Sequence, residues 1–317
     1  MPVTDKYNRE FKTLRVSLLS KCNLSCVYCT MGEDEVKENN ALQHSVSANT
    51  LLQQIQQLHS ALQLETVRLT GGEPLLYHEL VPLVEGLKQT GIPKIKLTTN
   101  GFLLERLAMP LKEAGMQSVN VSLDAIDEDA FFLMSKRNGV QKILHGIDAA
   151  IAAGLPVKIN AVIMKGINEN QIIPLLGFAF ERNISIRFLE IMAMGFLHHN
   201  ADKYLFTQEE ILNTISAKYS FKKISRSAAS TANYWQTADG NTFGIIANES
   251  EPFCHDCNRL RLDSDGNIYG CLSSNHPIAL NSSDSQAALI SKLQQAMNQK
   301  QAVKFTGSDL SMLHIGG

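Results

Sequence analysis

Six cysteines fall into two groups of three, and none lies elsewhere in the chain. Cys22, Cys26 and Cys29 follow a C-x3-C-x2-C spacing, and Cys254, Cys257 and Cys271 follow C-x2-C-x13-C. Three thiolates held so close can converge on one soft metal centre, because closing a short loop costs little chain entropy. A cubane iron–sulfur cluster usually takes four cysteines, one per iron. A trio would leave one iron open to a ligand, much as catalytic zinc keeps an open position. Neither trio can pair off internally as disulfides, and the tight spacings fit metal ligation better than cross-pairing. A zinc knuckle is the plain alternative at each, with His44 as fourth ligand of the first trio and His255 or His276 of the second.

The elements that must position these groups alternate. Strands are expected at Leu14–Leu19, Thr66–Gly72, Lys94–Gly101, Ser118–Ala125, Pro156–Gly166 and Ile184–Met192, with helical patterns after the first five. One such pattern repeats Leu51, Leu52, Ile55, Leu58 and Leu62 at helical spacing behind a Ser47 N-cap. Alternation of this kind implies parallel strands joined by right-handed crossovers. The first trio then sits at the C-terminal end of the first strand, where barrels carry their active sites.

Parity within the strands says what the barrel holds. Arg15 and Ser17, Arg68 and Thr70, Lys96, Thr98 and Asn100, Asn120 and Ser122, Lys158 and Asn160, and Arg187 each alternate with Val, Ile, Leu or Phe. Helices outside account for the apolar parity, so the other parity faces a polar, cationic lumen suited to an anionic ligand. An ordinary barrel fills that space with branched aliphatics. Beyond Met192 the alternation stops. A helix capped by Thr207, strands at Phe221–Ser225 and Tyr234–Ile246, and a helix over Ser285–Gln299 are expected there. The fold class expected is α/β, a partial (β/α)6 TIM-like barrel (residues 1–192) with a smaller C-terminal α+β region (193–317) closing its open side.

Bulk properties narrow the function. Net charge is −2, with 44% hydrophobic and 19% charged residues, so no global field argues for nucleic acid or an anionic membrane. The first residues have no apolar signal region and no apolar run is long enough to span a bilayer, so a cytoplasmic protein is expected.

Thr70-Gly71-Gly72-Glu73-Pro74 ends the second strand and reads locally as a permissive turn starting a helix. Arg259-Leu260-Arg261 follows Cys257 closely, and the chain ends Gly316-Gly317. Arginine offers bidentate donors to phosphate, so the R-x-R suits a nucleotide. Here a resemblance enters. The first trio with Tyr28, followed by GGEP, resembles the radical S-adenosylmethionine (radical SAM) superfamily. That resemblance implies that the open iron binds SAM and that an electron cleaves it to a 5′-deoxyadenosyl radical. The second trio, the R-x-R and the terminal double glycine resemble the GTP 3′,8-cyclase family.

The resemblance implies two [4Fe-4S] clusters, held by Cys22, Cys26 and Cys29 and by Cys254, Cys257 and Cys271. It implies SAM contacts from Tyr28, Gly71, Gly72, Glu73, Ser122 and Met192. It implies GTP contacts from Arg15, Arg68, Thr98, Lys158, Arg259, Leu260 and Arg261, and catalytic parts for Lys158, Arg259, Arg261, Gly316 and Gly317. The reaction implied is GTP to (8S)-3′,8-cyclo-7,8-dihydro-GTP, the first step of molybdenum cofactor biosynthesis. It would use an external reductant, with cyclic pyranopterin monophosphate synthase downstream and a monomer or homodimer as the working form. The chain departs from the family at Leu19-Ser20, where Thr-Asp is usual, at Ser25, where Arg is usual, and in the acidic loop Gly32–Asn40. A radical SAM enzyme modifying peptides or proteins is the alternative, and an electron-transfer protein a more distant one.

Overall fold

A computed structural model describes residues 3–29, 46–227 and 229–315. Six parallel strands form its centre: β1 (Thr13–Ser17), β2 (Thr66–Thr70), β3 (Lys94–Thr99), β4 (Ser118–Ser122), β5 (Val157–Ile163) and β6 (Ser185–Glu190). They pair in sequence order, as right-handed βα crossovers require. All six expected strands are present, but each ends two or three residues early. Their last residues turn out of the sheet to make loops, at Gly71 (φ 144°) and Gly101 (φ 78°) among others, and those loops carry the site.

Six further strands come from the C-terminal part: β7 (Phe221–Ile224), β8 (Asn233–Thr237), β9 (Thr242–Ile246), β10 (Arg259–Leu262), β11 (Asn267–Tyr269) and β12 (Ile278–Ala279). The sheet runs β12-β11-β10-β1-β2-β3-β4-β5-β6-β9-β8-β7. β10 joins β1 and β9 joins β6, both parallel, so the partial barrel is widened at both edges and remains an open sheet. The strands β10, β11 and β12 had no clear pattern in the sequence, being only two to four residues long.

The apolar parity of the strands packs against the outer helices. Leu14, Val16, Val67, Leu69, Ile95, Leu97, Val119, Val121 and Ile159 are fully buried there. Each such side chain contributes about 1.5–3 kcal/mol, which lets the opposite face be polar without unfolding the barrel. Ser47 caps the helix Ala48–Leu62 by accepting from Thr50 N, and Thr207 closes a capping box with Glu210. No helix among the described residues is long and apolar enough to cross a membrane.

Candidate active site

Strand register fixes where the two trios lie. Cys22 follows the C-terminal end of β1. Thr13, at the other end of β1, pairs with Arg259, so Cys254 and Cys257 precede that opposite end. β11 returns antiparallel with Tyr269 against Arg261, which brings Cys271 back to the same end. The five residues of β1 set the ends roughly 13 Å apart, so the two trios stand at separate places along the barrel. All six cysteines line a single cavity of 840 Å³ that runs between them.

Neither trio, among the described residues, brings its three sulfurs all within 4.8 Å of one another. Tetrahedral zinc, with Zn–S near 2.3 Å, would draw them to about 3.8 Å. His255 and His276 are exposed and join no such group, and His44 lies outside the described residues. Three cysteine sulfurs as the donor set of each trio suit an iron–sulfur cluster.

Around the first trio the loop is tied to the chain by its backbone. Ser25 N donates to Ser135 O and Val27 N to Met134 O, at the end of the helix Glu128–Ser135. Leu18 N donates to Thr70 O, Gly72 N to Leu19 O at 2.7 Å and Glu73 N to Lys21 O at 2.8 Å. The glycines serve this contact directly: a Cβ on Gly72 would lie 2.3 Å from Lys21 O, and one on Gly71 2.7 Å from Leu19 O. From the sequence these glycines were expected to admit a ligand to the main chain. In the fold the cluster loop itself makes that close approach.

Glu73 is 1% exposed, and its carboxylate accepts from Thr99 Oγ1 at 2.6 Å, Asn100 N at 2.7 Å and Leu75 N at 2.9 Å. Burial still outweighs these bonds and raises the carboxyl to about 7. Tyr28 donates its phenol to Asp124 Oδ2 at 3.0 Å, and Asp124 Oδ1 accepts from Val162 N. Burial lifts Asp124 to about 6. Ser122 and Met192 also line the cavity. Asp124 was missed in the sequence although it shares the parity of Asn120 and Ser122; the strand rule that found those two reaches it.

Between the trios the cations lie in register. Arg261, Arg15, Arg68 and Lys96 face one another across β10, β1, β2 and β3. Thr98, Asn120 and Lys158 form the next row, and Asn160 and Arg187 a third. Arg187 continues to Gly244, where a Cβ would lie 3.1 Å from the arginine's Cγ. Asn120, with its amide oxygen toward the guanidiniums, accepts from Arg187 Nη2 at 2.7 Å and Arg68 Nη1 at 3.0 Å. Arg187 Nε also donates to Asn160 Oδ1.

Burial first, and then the neighbouring guanidiniums, lower these groups. Arg15 falls well below its usual range, Arg68 falls to about 10, and Lys96 and Lys158 also fall. Arg261 falls to about 10, through burial and Arg259, against the opposing pull of Cys271. Among the described residues only Glu65, Glu73 and Asp124 offer carboxylates along the lining. The lumen is therefore an anion site.

Arg259 and Arg261 line it, whereas Leu260 points the other way into the core at 0% exposure, as strand alternation requires. The leucine expected among the GTP contacts thus offers no side chain to the cavity. Arg261 Nη1 donates to the carbonyl of Ile315 at 3.2 Å. Gly316 and Gly317, given catalytic parts above, lie outside the described residues, as does the loop Gly32–Asn40. The tail is further fixed by Ser311 Oγ, which donates to Cys29 O.

The second trio has an asymmetric field. Burial raises Cys254 to about 11. At Cys257 burial also acts upward, but Lys300 and Arg259 outweigh it and bring the thiol to about 5. Lys300 was not singled out from the sequence, since it stands alone after a helix with no partner of fixed spacing.

An open parallel barrel with a cysteine trio after its first strand defines the class, and residues 16–179 match the radical SAM superfamily. Residues 184–306 match the Molybdenum Cofactor Synthesis C family. The chain is 37% identical over 276 residues to a GTP 3′,8-cyclase of Synechocystis sp., covering 87% of this chain and 83% of that one. It is 38% identical over 275 residues to a GTP 3′,8-cyclase of Staphylococcus epidermidis, covering 85% and 81%. The structure of Streptococcus suis SuiB bound to S-adenosylmethionine shares the fold, with TM-score 0.66 at 16% identity over 93% of this chain and 69% of that one. This chain belongs to the GTP 3′,8-cyclase family of radical SAM enzymes.

Proposed function

We propose that this chain converts GTP to (8S)-3′,8-cyclo-7,8-dihydro-GTP, the first step of molybdenum cofactor biosynthesis. The observation that carries the reading is the in-register row Arg261–Arg15–Arg68–Lys96 lying between two cysteine trios. A triphosphate carries about four negative charges, and such a row offers the bidentate donors that phosphate takes. Cys22, Cys26 and Cys29 would hold one [4Fe-4S] cluster, and Cys254, Cys257 and Cys271 a second. Bound there with SAM, the first of these would supply the radical chemistry of the superfamily.

The chain's own residues do the rest by position. Glu73 would accept the SAM ammonium through the spare lone pairs of its two oxygens, while Thr99 and Asn100 hold its plane. Arg15, Arg68, Lys158, Arg259 and Arg261 would neutralise and orient the nucleotide so that its ribose faces the SAM end. Arg261 is also held by the Ile315 carbonyl, which accepts from its Nη1 at 3.2 Å. An external one-electron reductant would supply the clusters, and the product would pass to cyclic pyranopterin monophosphate synthase.

The test is anaerobic. The chain is reconstituted with iron and sulfide, reduced, and supplied with SAM, and 5′-deoxyadenosine is measured with GTP, with ATP or with no nucleotide. GTP alone should stimulate its formation strongly; cleavage indifferent to GTP would sink the substrate assignment.

Glu73 gives a second expected result. With its carboxyl near 7, raising the pH from 6 to 7 should tighten SAM binding roughly fivefold, because only the carboxylate pairs with the ammonium. Below the α-amino pKa of about 7.7–8.0 the ligand's own charge stays fixed. In the ligand-free chain the same group works in the opposite direction. Its stabilising share is full below its usual 4.5 and is lost as the pH rises through about 7. Glu73→Gln should bind SAM more weakly and show neither dependence, as equilibrium binding and melting curves at the two pH values would report.

A further inference from the structure

Lys300 is a buried cation to which the reading above gives no part. It follows the helix Gln286–Asn298 and is only 7% exposed. Nζ donates to Cys257 Sγ at 3.2 Å and to the Arg259 carbonyl at 2.5 Å. The ammonium also sits 5.2 Å from the centre of the Phe11 ring, and Phe11 is 1% exposed. Among the described residues it pairs with no carboxylate: its two acceptors are a sulfur and a carbonyl.

A buried ammonium is costly unless something anionic or strongly polar compensates it. The sulfur of Cys257 is the one group in contact that can carry a full negative charge. The surrounding chain is built to hold the lysine there. Phe11 supplies the π-face, and its neighbour Arg9 donates to the Cys254 carbonyl at 2.6 Å, bracing the same cysteine loop from the other side. Arg9 is itself fixed by Asp5, whose carboxylate accepts from Arg9 Nε and Arg9 N. Three segments remote in sequence thus meet around the second cysteine loop: Asp5–Phe11 at the Cys254 carbonyl and the Lys300 ammonium, and Lys300 at the Cys257 sulfur.

We infer that Lys300 is a positioning residue for the second centre, its ammonium fixing the Cys257 sulfur as a ligand and raising the reduction potential of the cluster held there. The inference rests on the two-cluster reading. Hydrogen bonds to the sulfurs and nearby net charge are what tune such clusters, and partners behind a ligand fix its orientation. A positive charge at the sulfur favours the more negative, reduced cluster. Removing it should make reduction about tenfold less favourable, which for a one-electron couple is about 59 mV.

The experiment uses the full-length chain, reconstituted anaerobically, as wild type, Lys300→Met and Lys300→Gln. Iron is counted, and a redox titration is followed by electron paramagnetic resonance, with the first cluster identified by its response to added SAM. The expected result is about eight irons in all three. The second cluster's potential should fall by about tenfold in equilibrium terms for Lys300→Met and by less for Lys300→Gln, which keeps a donor without the charge. The SAM-responsive cluster should not move. Loss of the second cluster's iron alone, with the SAM-responsive signal intact in either variant, also supports the assignment. An unmoved second potential with both clusters full overturns it, as does an equal shift in both clusters, which would mark general loosening. A fall in GTP affinity with the potential unmoved would make Lys300 a substrate contact instead. A wild-type chain that loads only about four irons overturns the two-cluster reading and this inference together.

Discussion

Arg68→Met should raise the melting temperature of the ligand-free chain by about 2–4 °C and remove most of the stabilisation that GTP gives it. Arg68 stands in register between Arg15 and Lys96, and burial, with Arg187 and Arg259, holds it near 10. A cation whose folded pKa is depressed is one whose charged form the fold penalises. That penalty is present throughout the neutral range and fades only as the pH climbs past about 10. Exchanging such a group for an apolar one of similar length is often neutral or stabilising by about 1–4 kcal/mol. Against this stand the bonds from Arg68 Nη1 to Leu97 O and Thr98 Oγ1, both long at 3.3 Å, and to the Asn120 amide oxygen at 3.0 Å.

With nucleotide present the balance reverses. Truncating one partner of a buried charge pair costs about 2–5 kcal/mol, so GTP should bind roughly thirtyfold or more weakly. Melting curves with and without GTP, at low and high salt, separate the two effects. Salt should stabilise the native ligand-free chain more than the variant, because it screens a repulsion that the variant has partly lost. A ligand-free melting temperature that falls instead would mean the Arg68 hydrogen bonds outweigh the repulsion. The nine cations that line the cavity among the described residues therefore favour an anion there at a cost to the ligand-free fold.

Most of this was legible because β-strand parity is a strict rule. Arg15, Arg68, Lys96, Thr98, Lys158 and Arg187 alternate with aliphatic residues that are now seen packed on the helices, and the lumen followed from that alone. The trios were legible because chelation limits how far apart ligands can stand. What escaped was whatever depends on contacts between remote segments. β10 is four residues long and is a strand only because β1 offers it an edge. Lys300 meets Cys257 across 43 residues and Phe11 across nearly the whole chain. Gly270 was not singled out from the sequence, yet a Cβ there would lie 1.7 Å from Ala296 O, and its N–H is held by Gln299 Oε1. It packs the helix Gln286–Asn298 against the strand end that delivers Cys271. No local pattern reports such packing.

Gly72→Ala should leave a folded chain that has lost activity by about a hundredfold or more. The new methyl would lie 2.3 Å from Lys21 O, 2.5 Å from its carbon and 2.7 Å from Ser20 O, all backbone atoms that no rotamer change can move aside. Relief requires Lys21 and Ser20 to retreat, and Cys22 is the next residue. The barrel can absorb the strain at about 1–3 kcal/mol. The site cannot, because a shift of about 1 Å at the reacting centre is enough to cost about a hundredfold. Both Gly72 N–H to Leu19 O and Glu73 N–H to Lys21 O would lengthen together, so the cysteine loop and the Glu73 carboxylate would be displaced by one substitution. Gly177→Ala is the control: it lies in the helix Ile172–Glu181 with nothing within 4 Å of the added Cβ, and should gain about 1 kcal/mol with activity intact. Iron content should separate mechanism from collapse. In Gly72→Ala the SAM-responsive cluster should be depleted or its signal altered while the second cluster loads normally, since nothing at Gly72 touches the Cys254 end of the cavity. Full loading with normal SAM cleavage would show that the loop at Lys21 yields freely, and that the two glycines serve the ligand and not the chain.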